Sequence, residues 1–143
     1  MQIEFLMLVL FESYQYGCRR VNYVDDHNRF VGFVTEPQCC EMCDCFVMDT
    51  SGFRLRAHKS GIDVSCWSDL HFAPEAPVLD DGAEVGKLLD ECYHCKDRGG
   101  MARFKLLDED EKHVAWLVLV NSHNGWYSHM GEYNMSPATE FCL

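Results

Sequence analysis

Met101-Ala-Arg-Phe-Lys-Leu-Leu-Asp-Glu-Asp-Glu-Lys-His-Val-Ala-Trp-Leu-Val-Leu-Val120 decides the reading of the fold. Met101–Leu107 has the length and composition of a strand. Asp108-Glu109-Asp110-Glu111 is a solvated turn, and His113–Val120 is the most apolar strand in the chain. A second stretch, Phe53-Arg-Leu-Arg-Ala-His58, alternates with period two. Phe53, Leu55 and Ala57 face one way, and Arg54, Arg56 and His58 the other. Gly61 ends a turn there, and Ile62–Trp67 can return antiparallel.

Working outward, Cys18–Val24 and Arg29–Thr35 are strand candidates on either side of a polar turn at Asp25-Asp26-His27-Asn28. Pro37 ends the second. Phe46-Val47-Met48 is a short apolar run. The opening run Met1–Phe11 reads as a buried strand. Residues 68–82 contain Pro74, Pro77 and Gly82 and read as a loop. Ala83–Cys92 is the one good helix candidate, with Val85, Leu88, Leu89 and Cys92 at helical spacing. Asn124-Gly125 offers the left-handed residues of a tight hairpin, with Trp126–Met130 as its returning strand. The tail from Gly131 reads as irregular. The expected fold is mostly β (α+β): one domain over 1–143, a curled or sandwiched, mainly antiparallel sheet with one short helix.

The chain has 143 residues, and its acids exceed its bases to give a net charge of −11. Such a field repels phosphate backbones, which argues against direct nucleic-acid binding and for a basic protein partner. No run approaches the roughly 20 apolar residues of a membrane span. The first residues lack a basic region and a small-residue cleavage site, so the expected compartment is the cytoplasm. There thiols or metal ligation are the default state of the nine cysteines.

Cys40-x-x-Cys43 and Cys92-Tyr-His-Cys95 are the sharpest chemical pattern. Two such thiolate pairs can complete one tetrahedral Zn²⁺ site, and four sulfurs leave no open position, so the metal would be structural. The competing reading is reduced thiols acting as small hydrophobes, with no cofactor. A thioredoxin-like pair needs a different setting, and a cysteine nucleophile with a distant histidine has no supporting motif. Trp116, Trp126 and Tyr127, with His129, form an aromatic set near the last strands that suits a binding pocket, against the plain alternative of core aromatics. Arg54 and Arg56 could bind a small anionic ligand bidentately. Alternatively, with His58 on the same strand face, they pair with the protein's own surplus acids; Arg19 and Arg20 form the other basic cluster. Asp25-Asp26 and Asp80-Asp81 are explained by turn chemistry.

Glu36-Pro-Gln-Cys-Cys-Glu41 and Asn121-Ser-His-Asn-Gly-Trp-Tyr-Ser-His129 together resemble an uncharacterised small domain family of phage and bacterial genomes. Its members carry a Cys-Cys-Glu after an early strand and an Asn-Gly-Tyr-Tyr-Ser-like hairpin near the end. Cys39, Cys40 and Glu41 match the first motif; Asn124, Gly125, Tyr127 and Ser128 match the second, with Trp126 in place of tyrosine. Cys43, Cys45, Cys92 and Cys95 depart from that pattern. The resemblance implies a β-rich fold and a phage or mobile-element origin, and supplies no chemistry. The functional expectation is a non-enzymatic binding or inhibitory protein, a possible host-defence antagonist. It would occupy a host protein with a basic surface or sequester a small anionic ligand, using Glu41, Arg54, Arg56, Trp116, Trp126, Tyr127 and His129. The alternative is a zinc-stabilised structural or adaptor domain held by Cys40, Cys43, Cys92 and Cys95.

Overall fold

The computed structural model describes residues 9–15, 17–35, 42–52, 54–55, 57–58, 61–62, 70–81, 98–123, 129–135 and 139–143. In chain order the strands are β1 (Val9–Gln15), β2 (Cys18–Val24), β3 (Phe30–Val34), β4 (Met42–Asp49), β5 (Arg54–Leu55), β6 (Ala57–His58), β7 (Gly61–Ile62), β8 (His71–Phe72), β9 (Val78–Asp81), β10 (Arg98–Leu107), β11 (His113–His123), β12 (Met130–Tyr133) and β13 (Thr139–Cys142). They form two open antiparallel sheets, β1-β2-β3-β12-β13 and β5-β4-β11-β10-β8, with β9 also on β10 and a small β6-β7 ladder apart. The fold is mostly β, as expected. The helix predicted over 83–92 lies outside the described residues.

The β10–β11 hairpin is the spine of the second sheet. Its register runs from Arg98↔His123 to Leu106↔Ala115, with a bulge before Leu107↔His113. Alternation does the sorting. Ala102, Phe104 and Leu106 of β10 and Ala115, Leu117 and Leu119 of β11 join Val21, Tyr23, Val31 and Phe33 of the other sheet in one shared core. Met101, Val118 and Val120 point away from that core and cluster with Phe46 of β4. β11 is therefore buried on both faces, which is why its sequence runs apolar instead of alternating.

The acidic turn is built by Asp108. Its Oδ1 accepts the N–H groups of Asp110 at 2.9 Å and Lys112 at 3.0 Å. Glu111 closes the turn at φ 62°, a left-handed conformation uncommon outside glycine.

Four expectations need correction. β12 does not return along β11; it lies in the other sheet, between β3 and β13. Both edges of β11 are already taken as far as Ser122, by Met42 of β4 on one side and Gly99 of β10 on the other. No edge is left there for a returning strand; the turn expected at Asn124-Gly125 itself lies outside the described residues. The tail is not irregular, since β12 and β13 pair from Met130↔Cys142 to Tyr133↔Thr139. The proline-rich stretch 70–81 is an interrupted edge strand, β8 and β9 both pairing with β10. Pro74 and Pro77 stand in the gap, where no ladder bond is required of them. The alternating run at 53–58 also divides: Arg54–Leu55 pairs with β4, whereas Ala57–His58 pairs with β7.

Candidate functional site

The strand directions give the sandwich two unlike ends. At one end β2 and β4 begin, β3 and β11 end, β10 begins, and β13 finishes at Cys142. Thr35 is joined to Met42, and His123 to His129, by the two segments that carry the family-like motifs, and both links pass from one sheet to the other. Glu41, Cys40, Trp126 and Tyr127 lie on those links, outside the described residues; Arg56, Cys92 and Cys95, elsewhere in the chain, lie outside them too.

Between the sheets at this end stand Cys43 and His129. Cys43 Sγ is 3.5 Å from His129 Nδ1, and the same nitrogen lies 2.6 Å from the carbonyl oxygen of Val34. So close an approach to a carbonyl needs a hydrogen between, which places the ring proton on Nδ1. Nδ1 then cannot accept a proton from the thiol, so the pair is not arranged as a nucleophile with its base. Instead, imidazole and thiol both turn toward the end of β3 and tie it to the start of β4. His129 is fixed further by reciprocal backbone bonds with Leu143, each 2.9 Å, and Asn121 Nδ2 donates to the Leu143 carbonyl at 2.9 Å. Nearby, burial pushes the Tyr23 phenol far above its ordinary range, and the adjacent Cys45 adds to the effect.

Trp116 sits on the opposite face of the second sheet, away from His129. The Arg103 guanidinium lies 4.8 Å above its ring, and His113 meets it edge-on at 4.4 Å. Arg103 Nε also bonds Asp80 at 2.9 Å. Burial lowers the His113 pKa, with the Lys105 charge adding to it against a backbone contact at Ala115. Arg54 is placed only by its backbone, as register partner of Met48. Arg20 pairs with Glu132 at 2.5 Å, and its guanidinium lies over Gly32, where any Cβ would collide with it. Thus, of the proposed binding set, Trp116 and His129 are not brought together.

The other end was not singled out as a site from the sequence. There the β2–β3 turn, with Asp25 and Asp26, meets the β10–β11 turn, with Asp108, Glu109, Asp110 and Glu111. Asp49, at the end of β4, closes the row in the second sheet. The junction is specific. Asp25 Oδ2 accepts the Phe72 N–H at 2.8 Å, and Arg29 Nη1 donates to the Phe72 carbonyl at 2.6 Å. His71, only 2% exposed, places Nε2 3.2 Å from Glu111 Oε1. Its ring lies 4.5 Å from that of His27. Acids some 80 residues apart in sequence are thereby held side by side on a rigid frame. The turn composition was legible; the bridge through β8 was not, because a two-residue strand leaves no periodic signal.

Among the described residues no group of three or more His, Cys, Asp or Glu is placed to hold a metal ion. Nor is any helix there long and apolar enough to cross a membrane. Comparisons with protein-family models, curated proteins and solved structures find no match.

Proposed function

We propose that the protein is a non-enzymatic binding protein whose acidic end engages a basic surface of a partner protein. The observation that carries the reading is the junction of the β2–β3 and β10–β11 turns through His71 and Phe72. It presents carboxylates from two distant segments on one fixed surface, so little ordering is needed on binding. With a net charge of −11 behind it, that end steers basic partners and repels nucleic acid. The resemblance of the Cys-Cys-Glu and Asn-Gly-Trp-Tyr-Ser segments supplies the setting: a phage or mobile-element protein that occupies a host protein as a defence antagonist in the host cytoplasm. Sequestration of a small anion by Arg54 and Arg56 is the lesser variant.

An octa-lysine peptide, titrated by calorimetry at low ionic strength, tests the reading. Glu109 and Asp110 are exposed, and their carboxylates are not needed to build the turn, which Asp108 holds. The Glu109→Gln/Asp110→Asn variant should bind the peptide about fivefold more weakly, as expected for two surface charges. Removing the same number of charges elsewhere, as Glu12→Gln/Glu140→Gln, should change binding less than about twofold. Equal losses in the two variants would reduce the effect to net charge and sink the reading.

A zinc-stabilised domain is the second reading, and one observation favours it. β4 and β10 begin on either side of the end of β11, at Met42↔Ser122 and Arg98↔His123. The segment preceding β4 carries Cys40, and the one preceding β10 carries Cys92 and Cys95, so both C-x-x-C units join the sheet at one end. Protein purified under reducing conditions should then contain about one equivalent of zinc, and a chelator should lower its Tm, because metal binding is coupled to folding. Metal-free protein indifferent to chelator would end that alternative.

A further inference from the structure

We propose that the His27–His71 pair is a proton-operated control on the acidic end, weakening its hold on a basic partner as pH falls. The inference rests on the binding function proposed above and concerns its regulation. Histidine is the side chain that ordinarily changes charge between about pH 5 and 8. Here two imidazoles stand with centroids 4.5 Å apart inside the carboxylate surface itself.

Each ring has its own carboxylate. His71 Nε2 is 3.2 Å from Glu111 Oε1, and His27 Nε2 is 3.6 Å from Asp26 Oδ2. Among the described residues, the other charged groups facing the pair are Asp25, which accepts the His27 backbone N–H at 2.9 Å, and Arg29, whose guanidinium is held on the Phe72 carbonyl. Asp108, Asp110 and Lys112 belong to the turn that carries Glu111. A proton on His71 turns its contact with Glu111 into a charge-assisted bond and draws that exposed carboxylate inward. A proton on His27 does the same to Asp26. Either event cancels negative charge where a basic partner would sit. Two positive charges at the 4.5 Å ring separation would repel, so a charge on one imidazole opposes a charge on the other. His71 is buried and joined to both turns, so its charge state acts on the shape of the end as well as on its field.

Two measurements separate this inference from the function beneath it. Octa-lysine affinity should fall about threefold between pH 7.5 and 5.5 in the wild type, the effect of roughly one surface charge. The fall should shrink in His27→Gln, a half-exposed position where folding is retained, and disappear in His27→Gln/His71→Gln. Separately, the ring carbon-bound protons of His27 and His71 are followed by NMR through a pH titration without any peptide. In the wild type the two should titrate as a coupled pair, and in His27→Gln the His71 signal should move in a single step. A pH-independent affinity, or a His71 titration unaltered by both His27→Gln and Glu111→Gln, overturns the proton control. Failure of octa-lysine to bind at either pH, with coupled imidazole titrations intact, overturns the binding function instead.

Discussion

Phe104→Ala should destabilise the protein by about 3–5 kcal/mol, a large part of what a domain of this size possesses. Phe104 lies mid-β10 and is 1% exposed. It meets Phe72 at 6.1 Å and 72° and Tyr133 at 5.5 Å and 70°. Phe141 is tilted against it at 6.0 Å. Two of these contacts cross the sandwich: Tyr133 and Phe141 belong to the facing sheet, and Phe72 to the same sheet as Phe104. Deleting the ring opens a cavity between layers that cannot close without moving a sheet, which puts the cost toward the upper part of the large-to-small range. Urea unfolding measures it. Leu79→Ala is the comparison, since Leu79 is 60% exposed on β9 and should change stability by no more than about 0.5 kcal/mol. A Phe104→Ala loss below about 1 kcal/mol would mean that this aromatic cluster does not hold the sheets together.

What the sequence revealed follows from which interactions are local. β10 and β11 were legible because a long strand, a run of four acids and a second long strand can hardly be arranged otherwise. The turn at Asp25 was legible for the same reason: its bonds to His27 and Arg29 span two and four residues. β12 and β13 were missed because four-residue strands have too few positions to show a period, and β12 finds a partner in β3, about 100 residues earlier. The partner of the strand after β11 was missed for a different reason. A turn signal such as Asn124-Gly125 says where the chain reverses, not which strand it pairs with next, and β12 lies in the other sheet. At the cysteine end, residue types suggested metal or thiol chemistry. The structure adds a contact that spacing cannot give, Cys43 against His129 across 86 positions of sequence. The acidic end was read as solvated turns because each turn alone is unremarkable, and only β8 makes them one surface.

Asp25→Ala should be the costliest change at that end, about 3–5 kcal/mol. The carboxylate is 5% exposed, and its two oxygens receive three backbone donors. Oδ1 accepts from His27 at 2.9 Å and Arg29 at 2.8 Å, and Oδ2 accepts from Phe72 at 2.8 Å. The first two bonds shape the turn, alongside the backbone pair from Asp25 N to Arg29 O at 3.0 Å. The third fastens that turn to β8 and so to the facing sheet. Alanine leaves all three donors without the acceptor they face, at about 1–3 kcal/mol for each that water cannot reach. Asparagine should cost about half as much, since its one oxygen can serve the turn while its amide group opposes the Phe72 N–H. The two substitutions therefore separate turn-building from sheet-joining. In Asp25→Asn the turn persists but its tie to His71 and Phe72 loosens. Octa-lysine affinity should then fall more than one lost charge explains, because the acids of the two turns no longer share one frame. Equal stabilities for Asp25→Asn and wild type, with unchanged peptide binding, would show that the bond to Phe72 neither joins the sheets nor shapes the acidic surface.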